Sequence, residues 1–254
     1  MKSETIPETR PWITPDWPAP ARVHACTTTR LGGVSVAPYD SLNLGDHVGD
    51  MPLAVARNRQ RVGEKLQLPA EPLWLEQVHG TVVADTGAAA CQPRADASVS
   101  RHARQVCVVM TADCLPVLFC DREGTRVAAA HAGWRGLCDG VLEQTVHSLQ
   151  CDPAYLLAWL GPAIGPAAFE VGDEVRTAFM ARNPAAAEAF VPGVAPGKWW
   201  CDIYHLARQR LTAAGMKTDD ISGGKFCTVA EAGRFFSYRR DGVTGRMASL
   251  IWLD

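Results

Sequence analysis

The sequence predicts an α/β fold in a single domain, and three observations carry that expectation. Short apolar runs rich in β-formers recur, as in 106–110, 115–119 and 126–130, and read as buried strands. After Gly136 the period changes: Leu137, Val141, Leu142, Val146 and Leu149 fall at helical spacing, which predicts an amphipathic helix over 136–150. No internal repeat, low-complexity tract or long linker divides the 254 residues, and 47% hydrophobic with 20% charged residues suffices to bury one sizeable core.

Taken in order, the elements begin with a tail. Prolines at 7, 11, 15, 18 and 20 keep 1–21 from forming a helix, so this segment is expected to be an extended tail or clamp ahead of a catalytic domain over 22–254. It lacks the apolar stretch of a secretory signal, and a cytoplasmic location is expected. A helix is expected over 57–66, and Leu73 and Leu75 alternate like a strand that leads into Gln-Val-His-Gly. The three strand runs follow, the first two separated by Thr-Ala-Asp-Cys. The apolar cluster at 154–160 is far shorter than the roughly 18 residues of a membrane span. Gly/Pro-rich loops are expected at 161–172 and 192–198, and a last helix over 203–214, opened by Asp202 as N-cap.

Charge and cysteine usage narrow the partners. A formal net charge of −2 with no Lys/Arg block gives no support to a nucleic-acid or anionic-membrane surface, although a phosphate-sized anion can still bind locally. No obligate protein partner is evident. Nine cysteines, an odd number without a Cys-x-x-Cys pair, argue for reduced thiols packed as small hydrophobes and against a redox dithiol or four-cysteine zinc site.

Candidate chemistry comes from company rather than from single residues, because a lone buried His or Cys is more often packing than ligand. His131 sits where a strand ends and a helix begins, flanked by Ala and Gly, and Cys114 occupies a comparable turn beside Asp113. Ligand sites in sheets with helical crossovers favour such strand ends. His79 stands at the end of another apolar segment. Two imidazoles and one thiolate from three elements suit zinc or copper with a fourth position open. Seven histidines and nine cysteines, however, allow many such triplets by spacing alone.

The segments TTRLGGVS (28–35), SLNLGDHVGD (41–50), EQVHG (76–80), RADASVS (94–100), TADCLPVLFCD (111–121), AAHAGWRG (129–136), GPAIGPAAFEVG (161–172) and FFSYRRDGVTGR (235–246) resemble the YfiH family. Its members have been called laccase-domain proteins or polyphenol oxidases, purine nucleoside phosphorylases and peptidoglycan editing factors. The resemblance implies a single-domain sandwich of mixed β-sheets flanked by helices, and a metal site that falls on His79, Cys114 and His131. It also implies a site arginine, carried to Arg59 in ARNRQRV, and Asn43 near the same pocket.

The activities the resemblance implies are zinc-dependent: phosphorolysis of adenosine, inosine, guanosine or methylthioadenosine, and deamination of adenosine to inosine. Deamination needs a hydroxide-like nucleophile, which zinc supplies by lowering the pKa of bound water to about 7, and a carboxylate to move the proton. Asp113 is the acid nearest in sequence, although adjacent strand residues point to opposite faces, which leaves a supporting role equally open. Phosphorolysis needs an anion holder: Arg59, Arg135, or the N-terminus of the 136–150 helix. Tyr238, Arg239 and Arg240 in FFSYRRD are further candidates for substrate contact, Arg239 foremost. A copper phenol oxidase, an amidase editing peptidoglycan precursors, a Cys–His nucleophile enzyme and a structural metal module are the competing readings.

Overall fold

The computed structural model describes residues 12–89 and 91–254; the first half of the expected tail, 1–11, lies outside them. Its strands and helices run β1 Trp12–Ile13, β2 Val23–Thr28, α1 Pro52–Leu66, β3 Val83–Asp85, β4 Ala97–Ser100, β5 Val106–Thr111, β6 Leu115–Asp121, β7 Val127–Ala132, α2 Trp134–Asp139, α3 Val141–Ser148 and β8 Leu156–Leu160. The chain continues with β9 Glu170–Gly172, α4 Asp173–Arg182, β10 Phe190–Pro192, β11 Lys198–Cys201, α5 Ile203–Ala213, β12 Ile221–Gly223, α6 Tyr238–Asp241 and β13 Met247–Leu253. No helix among the described residues is long and apolar enough to cross a membrane.

Two sheets form the centre. One orders β1-β2-β13-β5 and the other β12-β8-β6-β7-β4-β3, with parallel pairs only at the two ends of the latter. Alternation along each strand decides the layers. Val106, Val108 and Met110 face outward onto Val62 of α1, whereas Cys107 and Val109 face inward onto Leu118, Cys120, Val127 and Ala129 of the second sheet. The far face of that sheet, with Val117, Phe119, Ala128 and Ala130, takes α3 through Val141, Leu142 and Val146. The result is a helix, sheet, sheet, helix sandwich. Because both faces of β5, β6 and β7 are covered, their sequences read as continuous apolar runs rather than alternating ones.

Differences from the sequence reading have local causes. The helix expected over 136–150 is two helices, because Gly140 takes φ 106 and its N–H closes α2 on the Gly136 carbonyl. The first helix starts at Pro52 rather than 57; proline at N1 opens it, and Leu53, being 80% exposed, adds nothing to a buried stripe. Within the expected loops, Glu170–Gly172 pairs with Lys198–Cys201, and the latter with Phe190–Pro192, in a three-stranded sheet. The α5 start is as expected, with the Asp202 carboxylate accepting from the His205 N–H at 2.9 Å. Trp12 and Ile13 of the expected tail pair with β2.

The turn that matters most is Thr-Ala-Asp-Cys. The strands on either side of it, β5 and β6, belong to different sheets, so this is a corner and not a hairpin. Asp113 bends the chain with φ 90 and locks the corner from both sides. Its carboxylate accepts from the Thr228 hydroxyl at 2.6 Å and from the Arg239 backbone N–H at 2.7 Å.

Candidate metal centre and cavity

The corner sets Cys114 at the entry of β6, and β7, paired antiparallel with β6, carries His131 beside it through the Pro116–His131 register. The third member arrives on a loop. Gln77 clamps that loop to β5, its amide donating to the Met110 carbonyl at 2.8 Å and accepting from the Met110 N–H at 2.7 Å. His79 then adopts φ 61, a left-handed conformation stabilised by Asp96. The buried Asp96 carboxylate accepts three successive N–H groups, from Val78 at 3.2 Å, His79 at 2.9 Å and Gly80 at 2.7 Å.

The same carboxylate orients the second imidazole. His131 Nδ1 lies 2.8 Å from Asp96 Oδ1, which assigns the proton to Nδ1 and leaves the Nε2 lone pair for a metal. Asp96 thus couples two of the three ligands. Two glycines make room for them: a Cβ on Gly133 would stand 2.7 Å from His79 Cδ2 and 3.1 Å from Cys114 Sγ, and one on Gly136 would stand 2.7 Å from the Gly80 carbonyl oxygen. The signal for Asp96 lay in the RADASVS segment, where nothing in residue spacing marks it as the histidine's partner.

The ligand atoms of His79, Cys114 and His131 all lie within 4.8 Å of one another. His79 Nε2 and Cys114 Sγ are 3.8 Å apart, close to the roughly 3.5 Å that tetrahedral zinc imposes on a nitrogen–sulfur pair. The two rings meet edge to face with centroids 4.8 Å apart. Burial by itself raises the Cys114 thiol, but the charges and hydrogen bonds of His131 and His79 outweigh it and bring the group down to about 6. Burial likewise lowers His131, yet the Cys114 thiolate and Asp96 hold it up at about 9. Each group thus favours the other's charged form, and a cation of suitable softness can take the place of the proton. These residues therefore fit one zinc or copper ion. Among the described residues this is the one group of three or more His, Cys, Asp or Glu able to hold a metal, so nothing there supplies the further histidine clusters of a coupled multi-copper centre.

The triad opens into a cavity of about 420 Å³, within the range of small-molecule sites. His47, Gln77, Met110, Thr111, Tyr238 and Arg246 line it with the three ligands, and among the described residues no carboxylate does. The remaining sequence candidates stand outside this lining. Arg59 stacks on Trp74 at 3.9 Å, donates to the Leu44 carbonyl at 3.0 Å and approaches Met110 Sδ at 3.9 Å. Asn43 is buried and ties Gly45, Asp50 and the Arg246 N–H together. Asp113 is consumed by its corner. Arg239 sends its side chain to the Glu170 carbonyl at 2.9 Å. Arg135 is exposed over Trp134, and the helix it belongs to, α2, has only 6 residues, too short for the strong N-terminal potential expected of a continuous 136–150 helix. Residue-by-residue reading missed Arg246, His47 and Thr111 as lining groups, since each lies at a strand end or loop that only the assembled sheets bring to the triad.

A layered α/β sandwich with an open three-ligand cluster in a small-molecule cavity defines a class of protein with a candidate catalytic metal site. The family model described as multi-copper polyphenol oxidoreductase laccase matches residues 24–254. A Pseudomonas aeruginosa protein named purine nucleoside phosphorylase is 60% identical over 243 residues, covering 96% of this chain and 98% of that protein. Purine nucleoside phosphorylase YfiH of Escherichia coli strain K12 is 59% identical over 242 residues, covering 95% and 98%. Among solved structures, that of a Neisseria meningitidis protein superimposes with a TM-score of 0.91 at 54% identity, covering 96% of this chain and 100% of that one. The chain belongs to this laccase-domain family, the YfiH family.

Proposed function

We propose that this protein is a zinc-dependent purine nucleoside phosphorylase acting on adenosine, inosine, guanosine and methylthioadenosine, with deamination of adenosine to inosine as a second activity of the same site. The names of relatives near 60% identity over almost the whole chain support the substrate class. The observation that carries the reaction class is the cavity lining: among the described residues, three metal-ligating side chains, one fixed cation and no carboxylate.

His79, Cys114 and His131 are the residues that would hold the ion. When bound, zinc would supply Lewis acidity and an open coordination position. In phosphorolysis a phosphate oxygen forms a bond to the anomeric carbon as the bond to the purine nitrogen breaks. The purine leaves with that electron pair and takes up the proton of hydrogen phosphate, so the lining is not required to supply a carboxylate base. Deamination does require proton delivery to the departing amine, and the titratable groups lining the cavity besides the triad are His47 and Tyr238. The lining therefore favours phosphorolysis over deamination. Arg59, Asn43, Asp113 and Arg239 serve in this reading as positioning residues of the walls, and Arg135 as a surface residue. The functional unit is 22–254, with Trp12 and Ile13 ahead of it paired to β2.

Product analysis with adenosine, with and without phosphate, tests the proposal. Adenine plus ribose 1-phosphate, formed only with phosphate, is the expected result. Inosine alone would make deamination the main reaction. No turnover of any nucleoside by zinc-loaded protein would sink the reading and favour the amidase, for which the same open position is suited. Copper-dependent phenol turnover would favour the oxidase.

A further inference from the structure

Among the described residues Arg246 is the cavity's one fixed cation, and its side chain is only partly used by the protein. Its backbone is pinned: the N–H donates to Asn43 Oδ1 at 2.9 Å, and its carbonyl accepts from the Leu44 N–H at 3.1 Å. Its stem lies along Gly45, where a Cβ would come within 2.8 Å of Arg246 Cγ. One end of the guanidinium is anchored too, Nη1 donating to the Thr244 and Gly245 carbonyls at 3.0 Å each. The other edge, Nε with Nη2, has no hydrogen-bond or ion-pair partner among the described residues, although the Cys114 thiolate and the Asp113 carboxylate lie near enough to favour the cation. That edge is the two-pronged donor that matches an oxyanion.

Its neighbours point the same way. Met247, the next residue, pairs with Thr111 across β13 and β5, which puts Arg246 beside Thr111 at the end of the sheet. Thr111 is 1% exposed, lines the cavity, and its hydroxyl has no partner among the described residues. An unpaired buried hydroxyl costs free energy that a ligand oxygen would recover. His47, across the cavity lining, is pushed below the ordinary imidazole value by burial first and then by the Arg246 cation, which marks the guanidinium as its neighbour. The pinned backbone and anchored Nη1 also mean that little side-chain entropy remains to be lost when an anion binds.

The geometry points to an oxyanion subsite made by the Nε/Nη2 edge of Arg246 with the Thr111 hydroxyl, and, resting on the phosphorylase reading above, inorganic phosphate is its ligand. The guanidinium withdraws phosphate from water and holds it at the cavity wall formed by the β5 and β13 ends, on the same cavity as the metal ligands. Asn43, through its bond to the Arg246 N–H, positions this group without touching the ligand.

The test uses zinc-loaded full-length protein and two readouts: equilibrium titration of inorganic phosphate followed by calorimetry, and KM for phosphate and for nucleoside measured separately. Arg246→Gln is expected to weaken phosphate at least about tenfold in both, the effect of losing a charged hydrogen-bond pair, with nucleoside KM and zinc content little changed. Arg246→Lys should recover part of the loss, keeping the charge without the fork. Thr111→Val should weaken phosphate about threefold. Unchanged phosphate affinity in folded, zinc-loaded Arg246→Gln overturns the subsite. Should that variant not fold, unchanged phosphate affinity in both Arg246→Lys and Thr111→Val overturns it equally. Wild-type protein that binds phosphate through Arg246 yet cleaves no nucleoside would sink the phosphorylase reading and leave the subsite standing. Phosphate-dependent cleavage indifferent to Arg246 would do the reverse.

Discussion

Cys120 and Cys114 lie on and beside the same strand, and their environments make them different reagents. In the strand interior, burial between the two sheets pushes the Cys120 thiol up to about 12, and its neighbour across the sheet interface, Cys107, is raised equally. At the strand entry, two imidazoles bring Cys114 down to about 6 against the same burial. The lesson is that the sandwich interior silences thiols by desolvation, and only the corner, where the chain changes sheets, admits the charges that activate one.

Breaking the corner should have the largest effect. Cys114→Ala is expected to lower metal affinity by more than about 100-fold, exceeding the 10–100-fold typical of an outer-shell loss, and to abolish turnover while the far-UV spectrum stays native. Metal analysis after dialysis checks it, and retained zinc with full activity would contradict the site. Next in size is Asp96→Asn, which keeps the shape but loses the charge that holds His131 and the 78–80 turn; metal affinity should fall about 10–100-fold, read by competition with a chelator. Gly133→Ala sharpens the comparison by adding one methyl against His79 and Cys114. We expect metal affinity to drop by about tenfold with a smaller change in Tm, and an unaffected site would show the two ligands free to move apart.

The interior side of the comparison predicts small effects. Cys120→Ala should cost about 1 kcal/mol of stability as a lost buried contact and leave zinc content and nucleoside turnover unchanged. Chelation of the wild type is the complementary measurement: activity should vanish while the thermal midpoint falls by only a few degrees, because the ligands sit on strands held by the two cores rather than by the ion. A collapse of the fold on chelation would instead make the metal structural.

How much was legible follows from what each feature depends on. The strands 106–110, 115–119 and 126–130 were readable because full burial on both faces demands unbroken apolar runs, and Asp202 because an N-cap is a local bond. The same burial hides direction and pairing, so nothing in the sequence distinguished a β5–β6 hairpin from the observed corner between sheets. Gly140 illustrates the limit in the helix: the apolar stripe runs through it without interruption, and only its φ of 106 divides α2 from α3. For the site, the family segments carried His79, Cys114 and His131 as a set, whereas spacing alone left them among many triplets. Asp113 was legible as a candidate acid beside Cys114, with a supporting role equally open, and only the fold shows its carboxylate accepting from the Thr228 hydroxyl and the Arg239 N–H.

The sequence by itself determined which segments must be buried and which residue types were available for metal chemistry; composition and periodicity act locally or in sum and need no partner. Only the tertiary structure decided that a carboxylate from the start of β4 would orient His131 and hold the His79 loop, that Arg59 would lie against Trp74 and Met110, and that Arg246 and Thr111 would both line the cavity. Those outcomes depend on strand order and register, which bring together residues far apart in the chain through contacts that leave no periodic mark on it.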